Sequence, residues 1–180
     1  MPKSTLAGHP LHPMLIVAPA ALLPFAAILD AMHRATDNDD YANAAYYSLA
    51  GGLIGGLAAG VAGAMDYLTI QPQTEVKRTA NLHAALNSGA LALTAANLAM
   101  RKNEYKHTGG SLALSALAAF GVVVSGWFGG RMVYEQGMRV RGVSPVEHER
   151  DLKLLPGDER VEHAMADAEK YVPAAGPYTH

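Results

Sequence analysis

Four long stretches of the chain contain no charged residue: residues 14–29, 42–65, 82–100 and 108–130. A helix needs about 20 mostly apolar residues to cross a hydrocarbon core about 30 Å thick. Three of the stretches reach that length, and the first does so once its uncharged flank, residues 6–13, is added. The charges fall between the stretches and after them. The connections 30–41, 66–81 and 101–107 are short, which forces neighbouring helices to run antiparallel. The pattern therefore predicts an all-α, four-helix antiparallel transmembrane bundle over residues 1–142. A charged C-terminal tail, residues 143–180, follows it.

A soluble four-helix bundle would need charges every turn or so on its outer faces, and these stretches lack them. Pro19 and Pro24 each remove a helical N–H, so the first helix is expected to bend. The second stretch carries Gly51/Gly55 and Gly52/Gly56/Gly60, rows with four-residue spacing that let helix backbones approach closely. The fourth repeats the device with Gly121, Ser125 and Gly129. Such rows serve tight packing, a dimer seam or space for a flat cofactor. In the tail, Ser144-Pro145-Val146-Glu147 reads as a capping box opening a short helix. Gly157 and Asp158 precede a second, with Val161, Ala164, Met165 and Ala168 on one face.

Composition narrows the function classes. There is no cysteine, which excludes disulfides, thiolate metal sites and cysteine-ligated iron–sulfur clusters. A net charge of −2 without long like-charge runs leaves no footprint for nucleic acid. Lys3 followed by an apolar run resembles a leader peptide. The intervening prolines and histidines, and Asp30, His33 and Arg34 at its end, read instead as a retained first span.

The topology assigns each loop to a side. The near side receives the chain start, the second loop and the tail, with Lys3, Lys77, Arg78, Arg131, Arg139 and Arg141. The far side receives Arg34, Arg101, Lys102 and Lys106, offset by Asp37, Asp39, Asp40 and Glu104. The excess of basic residues places the near side, with both termini, in the cytoplasm of a bacterial inner membrane.

Chemistry-bearing residues also gather on the near side. Gly8-His9-Pro10-Leu11-His12-Pro13 precedes the first helix, Asp66 and Tyr67 end the second, and Asn81, His83 and Asn87 open the third. Trp127, Arg131 and Tyr134 end the fourth. The far side shows only His33 and His107 beside ordinary loop charges. Ionisable groups at membrane depth face a site or a partner, and His83 and Asn87, four apart, share one helix face. Trp127 and Tyr134 fit an ordinary aromatic belt. Asp66 could simply pair with Arg131 or Lys77.

Taken together, one of His9 and His12 is expected to approach His83 across the bundle. The flanking prolines are expected to keep His12 out of helical conformation, which leaves open which of the two turns inward. Two imidazoles on opposite helices can hold a haem b. Asp66 and Asn87 would then orient the imidazoles, and Arg131 would pair with a propionate. The glycines would make room for the macrocycle. A rival site has His9, His12, His83 and Asp66 binding a transition metal. A proton path through Asp66 and His83 is a third reading, within a proton-coupled transport protein. A fourth has no cofactor: the cluster clamps the helix ends of an accessory subunit in a larger complex.

The blocks Gly8–Pro13, Gly63-x-x-Asp66-Tyr67, His83-x-x-x-Asn87 and Trp127-x-Gly129-Gly130-x-x-Val133-Tyr134-x-x-Gly137 occur in this order. Over about residues 5–142 the chain resembles the bacterial membrane family catalogued as domain of unknown function 2231. That resemblance implies four spans. Some members are fused to Rieske iron–sulfur domains, which implies a redox setting. This chain, without cysteine or such a domain, would exchange electrons with a separate partner. The leading expectation is a b-type haem electron-transfer subunit, a homodimer or part of a membrane redox complex. A redox carrier or accessory role is favoured over a stand-alone enzyme.

Overall fold

The computed structural model describes residues 3–6, 9–101, 109–138 and 151–153. Strands β1 (Lys3–Leu6) and β2 (His9–Pro10) lead into helix α1 (Leu11–Leu15). Four long helices follow: α2 (Val17–Thr36), α3 (Asp39–Thr69), α4 (Glu75–Arg101) and α5 (Gly109–Tyr134). Strand β3 (Asp151–Lys153) runs parallel to β1, while β2 pairs antiparallel on its other side. Of the tail, only this strand lies among the described residues. The two helices expected there fall outside them.

The helices form a closed ring in which α2 packs on α3, α3 on α4, α4 on α5, and α5 back on α2. The inward positions recur with alternating steps of three and four. On α3 they include Ala42, Ala45, Leu49, Gly52, Gly56, Ala59 and Asp66. On α4 they are His83, Asn87, Ala90, Thr94, Asn97 and Arg101. A 3.5-residue repeat is the signature of left-handed helix packing. The middle layer is apolar, with Leu23, Ala26 and Leu49 fully buried against Leu91, Leu98 and Val122.

Three helical segments, Leu11–Thr36, Asp39–Thr69 and Gly109–Tyr134, are both long and apolar enough to cross a membrane. Helix α4 has the length but not the hydropathy, because its inward row is polar. On α3, Tyr46 and Tyr47 stand 20–21 residues from Tyr67, about 30 Å of helix. That separation matches the distance between the two aromatic belts of a bilayer. Trp127 (62% exposed) and Tyr134 (86% exposed) stand on the outer surface near the end of α5, as a belt requires.

The helices outrun the charge-free stretches. Residues 30–36 and Arg101 were expected in loops but are helical. The α2–α3 connection shrinks to two residues. Asp37 caps α2 in the left-handed conformation, and the Asn38 side chain accepts the Asp40 N–H at 2.9 Å. Pro13 sits in the first turn of α1, where its missing N–H costs no helical bond. His12 is therefore helical, contrary to the expectation. The break at Ile16 is local, because its backbone stays right-handed and the bonds Ile16 N–H to His12 O and Ala20 N–H to Ile16 O persist. What is lost is the bond that Pro19 cannot donate to Leu15.

Candidate functional site

The near-end cluster is assembled from α1, α3, α4 and α5. His12 lies on α1 against α3, where its Nδ1 donates to the Ala59 carbonyl at 2.8 Å. The ring fits because residue 63 is glycine: a Cβ there would stand 2.9 Å from Nδ1. His83, two turns into α4, is seated the same way on α5. Its Nδ1 donates to the Ser125 carbonyl at 2.9 Å, and a Cβ at Gly129 would lie 3.1 Å from Cε1. The two rings meet edge to face, with centroids 6.1 Å apart and planes at 86°.

A carbonyl oxygen only accepts, so both rings carry their proton on Nδ1. In the neutral form of such a ring the lone pair lies on Nε2. Ligating histidines adopt this arrangement, with the second nitrogen anchored on an acceptor. Asn87 approaches His83 from one turn further along α4. Its Nδ2 is 3.1 Å from His83 Nε2, 3.0 Å from the His83 carbonyl and 2.6 Å from Ser125 Oγ. Anchoring His83 at Nδ1 falls to the Ser125 backbone, with Ser125 Oγ also 2.9 Å from that nitrogen. The expectation that Asn87 orients the ring from behind is corrected accordingly.

The other sequence candidates are placed as follows. His9 is exposed on β2, opposite Leu6, and the ring that meets His83 is that of His12. Asp66 is buried in the last turn of α3, a helix that packs against β1. Arg131 forms ion pairs with Glu75 at 3.1 Å and Glu135 at 2.9 Å, so its charge is already engaged. Lys77 donates to the Tyr67 carbonyl and lies over the Tyr67 ring, 3.3 Å from its centroid. The Tyr67 hydroxyl donates to Asn81 Oδ1 at 2.8 Å, tying α3 to α4. Among the described residues no three His, Asp or Glu side chains form a metal-binding group. The set His9, His12, His83 and Asp66 is therefore not assembled as a polydentate site.

The glycine rows serve packing. Gly52 receives Leu23, Gly55 receives Ala18, Gly56 receives Leu91, and Gly63 and Gly129 receive the two imidazoles. At these five glycines the face is occupied by neighbouring side chains, whereas Gly60 meets nothing within 4 Å.

A second polar cluster, missed by the sequence reading, lies at the far end. Asp30 of α2 and Arg101 of α4 are ion-paired with both side chains fully buried. Ser115 Oγ of α5 donates to the same Asp30 oxygen, and Arg101 Nε donates to Asn97 Oδ1. Asn97 Nδ2 donates in turn to the Ser111 carbonyl and to Ser115 Oγ. Both charges had been assigned to loops because each ends a charge-free run. Extending the His83–Asn87 spacing along α4 leads to Thr94, Asn97 and Arg101, and would have found the α4 side of this network.

The fold and the paired imidazoles define an all-helical membrane bundle with a histidine cluster at one end. The chain belongs to the family described as Predicted membrane protein (DUF2231), whose profile matches residues 8–142. No curated protein and no solved structure matches it.

Proposed function

We propose that the near end is a two-imidazole ligand site and that the protein is a small membrane electron-transfer subunit. The observation that carries this reading is the His12–His83 pair. Both rings are anchored at Nδ1 on backbone carbonyls and stand 6.1 Å apart. Each ring would offer its Nε2 to a metal centre held between α1 and α4. Haem iron is the centre whose demand on the protein two such nitrogens satisfy, and it supplies reversible one-electron chemistry. His12 and His83 would be its ligands, with the Ala59 and Ser125 carbonyls fixing their orientation. Electrons would come from a separate partner, with the near face toward the cytoplasm.

The test is the absorption spectrum and metal content of the full chain purified in mild detergent. The expected result is a Soret band that shifts on reduction, disappears in His12→Ala and in His83→Ala, and survives in His9→Ala. A colourless protein with stoichiometric zinc or copper would replace haem by a bare ion at the same pair.

A colourless, metal-free preparation would overturn the ligand reading in favour of a cofactor-free accessory subunit. One observation favours that alternative: Asn87 Nδ2 lies 3.1 Å from His83 Nε2. In that case the cluster pins α1 to α3 and α4 to α5, and both histidine variants would lower thermal stability alone.

A further inference from the structure

Helix α1 is held differently from the four long helices. None of its five residues is buried, whereas α2 buries Leu23, Ala26 and Leu29. A segment with little buried apolar surface opens at low free energy. Its joint to α2 is weak as well. Pro19 has no N–H for the Leu15 carbonyl, and its ring crowds that carbonyl, so the helix breaks at Ile16. The bonds on either side persist, which confines the break to one joint.

Two features oppose release of α1. One is the His12 ring, bonded to the Ala59 carbonyl at 2.8 Å and seated on Gly63. The other is the small sheet. Strand β2 ends at Pro10, where α1 begins, and pairs with β1. Strand β1 packs on α3 and pairs on its other edge with β3 of the tail, with Ser4 opposite Leu152 and Thr5 opposite Lys153. We propose that α1 is a hinged arm that carries His12 onto and away from His83, with Ile16 as its hinge and the tail strand β3 as its latch. The closed arrangement is the one in which the rings meet. On opening, His12 leaves the Ala59 carbonyl and Gly63, while His83 keeps its anchor on Ser125, a bond between α4 and α5. The tail thereby biases a two-state element at the near end through backbone pairing. The inference holds whatever the pair binds, because it concerns only when the rings meet.

The experiment compares full-length chains in mild detergent. Amide hydrogen exchange reads the opening of residues 11–16 against that of α2–α5. The NMR signals of the His83 ring read its contact with His12, and His12→Ala marks where they lie without that contact. Leu152→Pro/Lys153→Pro unpairs β3: successive N–H groups of a strand point to opposite sides, so the double variant removes whichever faces β1. Residues 11–16 are then expected to exchange about fivefold faster, which corresponds to about 1 kcal/mol, the net worth of one hydrogen bond. The His83 signals are expected to move toward the His12→Ala position. Pro19→Ala supplies the missing donor for Leu15 and is expected to slow the same exchange by about the same factor. Faster exchange with unmoved His83 signals would mean that α1 frays without carrying His12, which overturns the arm. Unchanged exchange of residues 11–16 in the double variant would overturn the latch, and in Pro19→Ala the hinge. If the double variant also speeds exchange in α2–α5, the tail holds the whole bundle and the local device is wrong.

Discussion

The two polar ends of the bundle are built on opposite principles. The far end is charged, fully buried, and bonded between side chains of α2, α4 and α5. The near end joins two half-buried imidazoles and the Asn87 amide to the buried Ser125 hydroxyl, and both its rings lean on backbone carbonyls. Eighteen residues of α4 separate His83 from Arg101, about 27 Å of helix. Each cluster thus sits near one boundary of a hydrocarbon layer about 30 Å thick. A carboxylate and a guanidinium in apolar surroundings are costly unless each finds the other. The far pair meets that condition and fixes the register of three helices. In the near pair each Nδ1 is committed to a backbone carbonyl, and His83 Nε2 lies 3.1 Å from Asn87 Nδ2. Among the described residues the buried Asp30–Arg101 pair reads as architecture, and the imidazole pair is the site proposed above.

The comparison breaks most sharply at the far end. Arg101→Met leaves Asp30 buried beside an apolar side chain. The expected loss is about 3–5 kcal/mol of stability, the usual cost of stranding one member of a buried pair. The double variant Asp30→Leu/Arg101→Met removes both charges and is expected to recover most of that loss. Thermal or denaturant unfolding in detergent measures both. The double variant should also keep whatever ligand spectrum the near end has. If it folds well but loses that spectrum, the two ends are coupled and the division of labour is wrong.

A smaller effect is expected at the glycines that seat the rings. Gly63→Ala puts a methyl 2.9 Å from His12 Nδ1. Overpacking of this kind costs about 1–3 kcal/mol. It also displaces the ring from the Ala59 carbonyl, so a ligand spectrum should weaken beyond the stability loss. Gly60→Ala is the control, because its Cβ meets nothing within 4 Å. It is expected to be neutral or to gain about 0.4–1 kcal/mol through the unfolded chain. Equal behaviour of the two variants would mean that the ring seat is not tight.

Much of this contrast was legible in the sequence, and unevenly so. Charge-free runs revealed four helices and their antiparallel order, because lipid tolerates few unpaired charges. The same rule misplaced Asp30 and Arg101: a run ends at a charge whether that charge faces water or a partner 71 residues away in sequence. The spacing of His83 and Asn87 showed a shared face, and the row continuing to Arg101 carries the same information. The choice between His9 and His12 was hidden, because proline is harmless in a first helical turn and its effect depends on where that turn starts. The seating of each ring on a particular glycine is a crossing between helices, which no local pattern encodes.

The smallest effect is expected at Arg131, a charged residue of the near end. Its ion pairs with Glu75 and Glu135 are partly solvent-exposed. Exposed pairs contribute about 0–1 kcal/mol and weaken with salt. Arg131→Ala should therefore lower stability by less than about 1 kcal/mol, with the difference shrinking as ionic strength rises. The spectrum assigned to His12 and His83 should not move, since Arg131 bonds to carboxylates and neither ring is its partner. A marked loss or shift of that spectrum in Arg131→Ala would show that the guanidinium leaves its carboxylates to contact the bound group. The near end would then be a charged site after all, and the contrast with the far end would have to be redrawn around Arg131 rather than around the imidazoles alone.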